Sequence, residues 1–151
     1  MTANSSNPIR CSAQAALFAG LAHVALAASA ADTSAARQME RFVTQAGAPG
    51  QAERGRAFFT SRQGGEWSCA SCHGSPPTAP GKHASTGKAI SALAPAITPT
   101  RFTDAAKSDK WFRRNCNDVL KRECSALEKG DVLAYLLALR PRSPVRMESP
   151  T

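Results

Sequence analysis

Apolar residues recur along this chain in several distinct patterns. From Ala15 to Ala28 they form an almost unbroken run of Ala and Leu. Met39, Phe42, Val43 and Ala46 then fall at offsets of 3, 4 and 7, which is one face of a helix. Thr33 or Ser34 can cap it, and Gly47, Pro49 and Gly50 end it. A second helix over about 51–60 carries Gly55 and Phe59 one turn apart. From Ser108 to about Leu120 the apolar positions are Trp111, Phe112, Cys116, Val119 and Leu120, which reads as a third. The last begins at Ser125, where Ser125-Ala126-Leu127-Glu128 forms a capping box. It runs through Val132, Leu133, Leu136, Leu137 and Leu139 until Pro141 stops it.

Between these patterns, residues 74–100 are rich in proline and glycine and read as loop. So long a turn-rich stretch argues against an assignment in a compact domain, unless it wraps a bound group. No segment alternates as a strand does, so the expected fold is all-α, with three to four helices and irregular loops. Residues 141–151, rich in Pro, Ser and Arg, read as a disordered tail.

The first apolar run is a different object. Arg10 is the only charge before Asp32, and Ala28-Ser29-Ala30 is a small-x-small cleavage site. That is the pattern of a secretory signal peptide over residues 1–30, and its apolar core is too short to span a bilayer. The expected location is therefore the periplasm, with one domain over residues 31–140.

Export changes how the cysteines are read. The chain has 5. Cys11 leaves with the signal, and four remain. If Cys69 and Cys72 serve the motif below, Cys116 and Cys124 are left, most simply as a disulfide in an oxidising compartment. The formal net charge of +8 loses one unit with Arg10. A basic exported protein suits an acidic partner or surface. Scattered Lys and Arg argue against nucleic acid.

The chemistry begins at Ser68-Cys69-Ala70-Ser71-Cys72-His73-Gly74. C-x-x-C-H is a covalent haem attachment site: the two thiols add across the haem vinyl groups and the adjacent imidazole ligates iron. A thioredoxin-type pair would need a preceding strand, and zinc would need a second ligand pair at metal spacing. Neither is present. The cofactor expected is one haem c, held by Cys69, Cys72 and His73.

The other axial position decides the function. The 3 methionines are Met1, Met39 and Met147, none between Gly74 and Arg140, so the usual His/Met carrier does not fit. His83, in a loop ten residues past His73, is either a surface histidine or a second axial ligand. Asn115 shares a helix face with Trp111 and Val119, spaced four apart. It is either a hydrogen-bonded core amide or a donor aimed at something that wants an oxygen. Trp111 reads as a haem neighbour or a core Trp, and Arg101 as a partner for a haem propionate or a solvated Arg.

The run LAPAITPTRFTDAAKSDKWFRRNCNDVLKRECSALEKGDVLAYL, with GQAERGRAFF and the C-x-x-C-H, closely resembles the sphaeroides haem protein family over residues 32–139. R-N-C-N followed by a second Cys is far more specific than C-x-x-C-H. The resemblance implies an exported mono-haem cytochrome c of the class I fold, in which Gly55 and Phe59 meet the last helix near Tyr135. It implies Asn115 as a distal ligand that leaves on reduction, opening ferrous iron to O2 or NO, and pairing of Cys116 with Cys124. It also implies a dihaem or multihaem cytochrome c as electron donor, often with a membrane cytochrome b. The loop PGKHASTGK departs from the family and leaves open whether His83 competes for the iron. The alternatives are a bis-His electron shuttle and a haem enzyme, a peroxidase or nitric oxide dioxygenase. No acid/base pair in the sequence argues for the enzyme.

Overall fold

The computed structural model describes residues 33–141. The predicted leader, and all of the predicted tail but Pro141, lie outside the described residues. In chain order come α1 (Ala35–Ala46), α2 (Ala52–Thr60), α3 (Cys69–His73), β1 (Gly81–Lys82), β2 (Ala89–Ile90), α4 (Ala105–Leu120) and α5 (Ala126–Ala138). Three helix starts follow local cap chemistry. The Ser34 side chain accepts from Arg37 N, Asp104 from Lys107 N, and Ser125 and Glu128 close the predicted capping box.

The fold is built on α5, which packs across both α1 and α2. Phe42 of α1, Phe59 of α2 and Val132, Leu133, Tyr135 and Leu136 of α5 are all buried in one cluster. Each of the larger side chains contributes about 1.5–3 kcal/mol by leaving water. Gly55 is what lets α2 and α5 approach: a Cβ there would run into the backbone carbonyl of Asp131. One turn on, the Phe59 and Tyr135 rings lie 5.6 Å apart. Asp131, itself buried, accepts from the Gln51 amide (2.8 Å) and from the Arg54 guanidinium. The start of α2, which has no side-chain cap of its own, is thereby capped from across the molecule.

Three expectations need correction. α4 starts three residues before Ser108; Ser108 is buried inside it, its hydroxyl donating to Asp104 O at 2.7 Å. The haem motif is itself a short helix, α3, so the described residues hold five helices rather than three to four. The proline-rich stretch contains a two-residue antiparallel pair, Gly81 opposite Ile90 and Lys82 opposite Ala89, where no strand was expected. A ladder that short leaves no alternation to read.

Candidate haem site

Ser68 and Ser71 build α3. Ser68 Oγ accepts from Ser71 N (3.3 Å) and Ser71 Oγ accepts from Ser68 N (3.0 Å), a reciprocal cap around a single helical turn. Within that turn Cys69 and Cys72 are three residues apart, so their sulfurs lie on one side. Both are free thiols and half-buried. Burial pushes the Cys69 thiol up to about 11.

His73 closes the helix. Burial, and after it the charge of nearby Arg101, pushes its imidazole down to about 4. The ring is therefore neutral at physiological pH, the form that can donate a lone pair to a metal. Its Nδ1 is buried and without a hydrogen-bond partner among the described residues. Phe59 walls the imidazole at 6.3 Å between ring centroids. Cys69, Ala70, Leu93, Phe102 and Phe112 extend the same apolar surface around the core. Two free thiols on one side of a helix, a neutral imidazole and an apolar lining fit a covalently attached haem.

The β1–β2 hairpin is tied to this motif. Gly81 sits against the carbonyl of Cys72 with no room for a Cβ, and Ala84 N donates to Cys72 Sγ at 3.3 Å. His83 is thus anchored to the helix that carries His73. Its Nδ1 is engaged within its own turn by Ser85 Oγ (3.2 Å) and Thr86 N (3.3 Å).

α4 presents the other candidates. Trp111 is 45% exposed, one of two large exposed hydrophobics among the described residues, and Asn115 one turn on is exposed as well. Neither the core Trp nor the hydrogen-bonded core amide is found here. The helix buries instead Ser108 and Cys116, and sets Phe112 5.5 Å from Phe42. Directly after Asn115, Cys116 is disulfide-bonded to Cys124, with Cα atoms 5.6 Å apart and both residues buried.

Arg101 is held by two backbone carbonyls, Nε donating to Ala92 O (3.1 Å) and Nη2 to Ser91 O (2.7 Å). Its charge is partly desolvated, which lowers its pKa, and it lies within Coulomb range of His73. The next residue, Phe102, takes a left-handed backbone (φ +61°) and packs on Phe112 at 6.2 Å. Such a conformation costs an aromatic residue about 1–2 kcal/mol, so packing must hold it there. Sequence reading missed Phe102 and Gly81. The Ser68-x-x-Ser71 spacing was the one signal available for α3.

Helices packed around a covalent-haem motif define a class I mono-haem c-type cytochrome. Residues 45–136 match the family model described as "Domain of unknown function (DUF1924)". Cytochrome c-type protein SHP of Cereibacter sphaeroides is 50% identical over 115 residues, 74% of this chain and 88% of that protein. The chain belongs to the SHP family, the sphaeroides haem proteins, and its cofactor is haem c. Among solved structures, oxidised SHP, an oxygen binding cytochrome c, superposes with a TM-score of 0.67 at 49% identity, covering 72% of this chain and 99% of that one. The solution structure of Methylophilus methylotrophus cytochrome c'', a study of haem-ligand detachment, gives 0.61 at 36%, covering 71% and 94%.

Proposed function

We propose that this chain is a periplasmic cytochrome that accepts electrons from another cytochrome and binds O2 or NO when reduced, with Asn115 as a labile distal ligand. The observation that carries this reading is Asn115 exposed beside Trp111 on α4, just before a disulfide that ties down the helix end. The oxygen binding of SHP and the haem-ligand detachment studied in cytochrome c'' are consistent with it. When bound, haem would supply an iron able to change between ferric and ferrous and to take a diatomic molecule.

The residues divide the work. Cys69 and Cys72 would hold the cofactor covalently, and His73 would offer the iron a neutral imidazole. Asn115 offers an amide oxygen, a hard and neutral donor that suits ferric iron better than ferrous. As a neutral donor, Asn115 would hold ferrous iron more weakly than ferric. The Cys116–Cys124 bond, directly after Asn115, would limit how far the amide can swing. Arg101, with its two backbone anchors, has a partly desolvated guanidinium to pair with a haem propionate. Trp111, exposed one turn before Asn115 on the same helix, would offer an apolar face to the haem.

The engagement of His83 Nδ1 by Ser85 and Thr86, on a turn tied to Cys72, favours Asn115 over His83 as distal ligand. The donor we propose is a dihaem or multihaem cytochrome c, fed in some arrangements by a membrane cytochrome b. Replacing Asn115 with Ala tests the ligand: the ferric protein should turn high-spin, and an unchanged ferric spectrum would rule the assignment out.

A further inference from the structure

The turn that leads into the haem motif leans on the helix that carries Asn115. Residues 62–65 form a tight turn closed by Gly65 N donating to Arg62 O at 2.7 Å. Its two middle residues, Gln63 (φ +49°) and Gly64 (φ +83°), are both left-handed, as a type I′ turn requires. Three residues after it, the Ser68–Ser71 cap fixes the start of α3, so the turn is held at its far end too. A Cβ on Gly65 would stand 2.8 Å from the carbonyl oxygen of Val119 and 3.3 Å from that of Arg62. The first distance is one that real Cβ atoms essentially never show.

Val119 lies in the last turn of α4, four residues after Asn115. In a helix the amide of residue i+4 donates to the carbonyl of residue i, so the Val119 peptide is bonded to that of Asn115. Beyond Val119 the helix ends at Lys121 in a left-handed cap (φ +58°), inside the loop closed by Cys116 and Cys124. The end of α4 is thus pinned by the disulfide on one flank and backed by Gly65 on the other. Gly65 is at the same time four residues before Cys69.

We infer that Gly65 is a positioning residue for the distal ligand: its bare backbone sets how far the α4 end stands from the haem-attachment helix, and so sets the hold of Asn115 on ferric iron. This rests on Asn115 being that ligand. The missing side chain is what the arrangement needs; any larger residue must displace either the turn or the helix, and the turn is fixed at both ends.

The test uses the purified full-length holoprotein and cyanide as the probe of the ferric site. In Gly65→Ala the ferric spectrum should gain high-spin character and cyanide should bind faster, by between about twofold and about thirtyfold, the range that remote packing changes give. Gly64→Asn is the control: its Cβ meets nothing within 4 Å and Asn tolerates the left-handed region, so it should behave as the parent. Equal effects of Gly64→Asn and Gly65→Ala would overturn the inference, since general loosening of the turn would then explain both. So would a folded Gly65→Ala with unchanged spectrum and cyanide kinetics. In an Asn115→Ala background the Gly65→Ala change should add nothing; an undiminished effect there would also overturn it. Asn115→Ala leaving the ferric spectrum untouched would instead remove the ligand assignment itself. Should Gly65→Ala fail to assemble, hydrogen exchange on the unaltered protein decides. Amides 63–66 should change protection together with those of 115–121 on reduction, and no change at 63–66 would contradict the inference.

Discussion

The Phe59 ring stands 6.3 Å from the imidazole of His73 and 5.6 Å from the ring of Tyr135. One buried side chain therefore joins the histidine of the haem motif to the centre of the α2–α5 packing. The haem site is not appended to a finished core; one wall of it is the core.

Truncating that side chain should damage both. Phe59→Ala is expected to cost about 3–5 kcal/mol, the range for a buried aromatic whose cavity collapses only in part. Urea unfolding of the holoprotein gives the number. A loss below about 1 kcal/mol would mean the haem, rather than Phe59, fills that space.

Gly55→Ala should also destabilise, although Ala is the better helix former by about 1 kcal/mol. The new Cβ would meet the Asp131 carbonyl, and forcing two helices apart typically costs about 1–3 kcal/mol. A stabilised variant in thermal unfolding would show that the α2–α5 crossing is loose.

Much of this framework is legible in the sequence. The 3, 4 and 7 offsets after Ser34 and the Ser125 capping box place two helices almost to the residue, because periodicity and caps are local signals. The covalent-haem motif is likewise complete within five residues. What sequence could not supply is anything set by a contact across the molecule: the capping of α2 by Asp131, or the support of Val119 by Gly65. The exposure of Trp111 and Asn115 is of the same kind, since a shared helix face does not say whether that face is covered.

Acid should weaken the fold through Glu128. Hydrogen bonds from Arg122 (2.8 and 2.7 Å), and less so from Ser125 N, hold its carboxyl below the ordinary value of 4.5, against an opposing effect of burial. Its folded pKa lies below its unfolded one, so its contribution is complete above the unfolded value and fades as pH falls through the folded one. Glu128→Gln should accordingly flatten the stability curve below pH about 4.5 while lowering the neutral plateau. An acid limb of unchanged slope, followed by circular dichroism against pH, would assign the acid sensitivity elsewhere.

Replacing both Cys116 and Cys124 with Ala should cost about 2.5 kcal/mol on the loop-entropy account for a separation of eight residues. The functional effect should be larger than the stability effect suggests, because the same bond restrains the helix end behind Asn115. Cyanide should bind the ferric double variant faster than the parent. Identical kinetics in a destabilised variant would make the disulfide a purely structural staple.

The measurement closest to the central claim is an optical spectrum of the purified protein taken oxidised, reduced, and reduced under carbon monoxide. A labile Asn115 predicts a ferric spectrum that turns broad and high-spin on reduction and then shifts promptly with carbon monoxide. A sharp low-spin ferrous spectrum that carbon monoxide leaves unmoved would contradict it. That result would mean a permanent strong ligand and an electron shuttle, with His83 the residue to replace next.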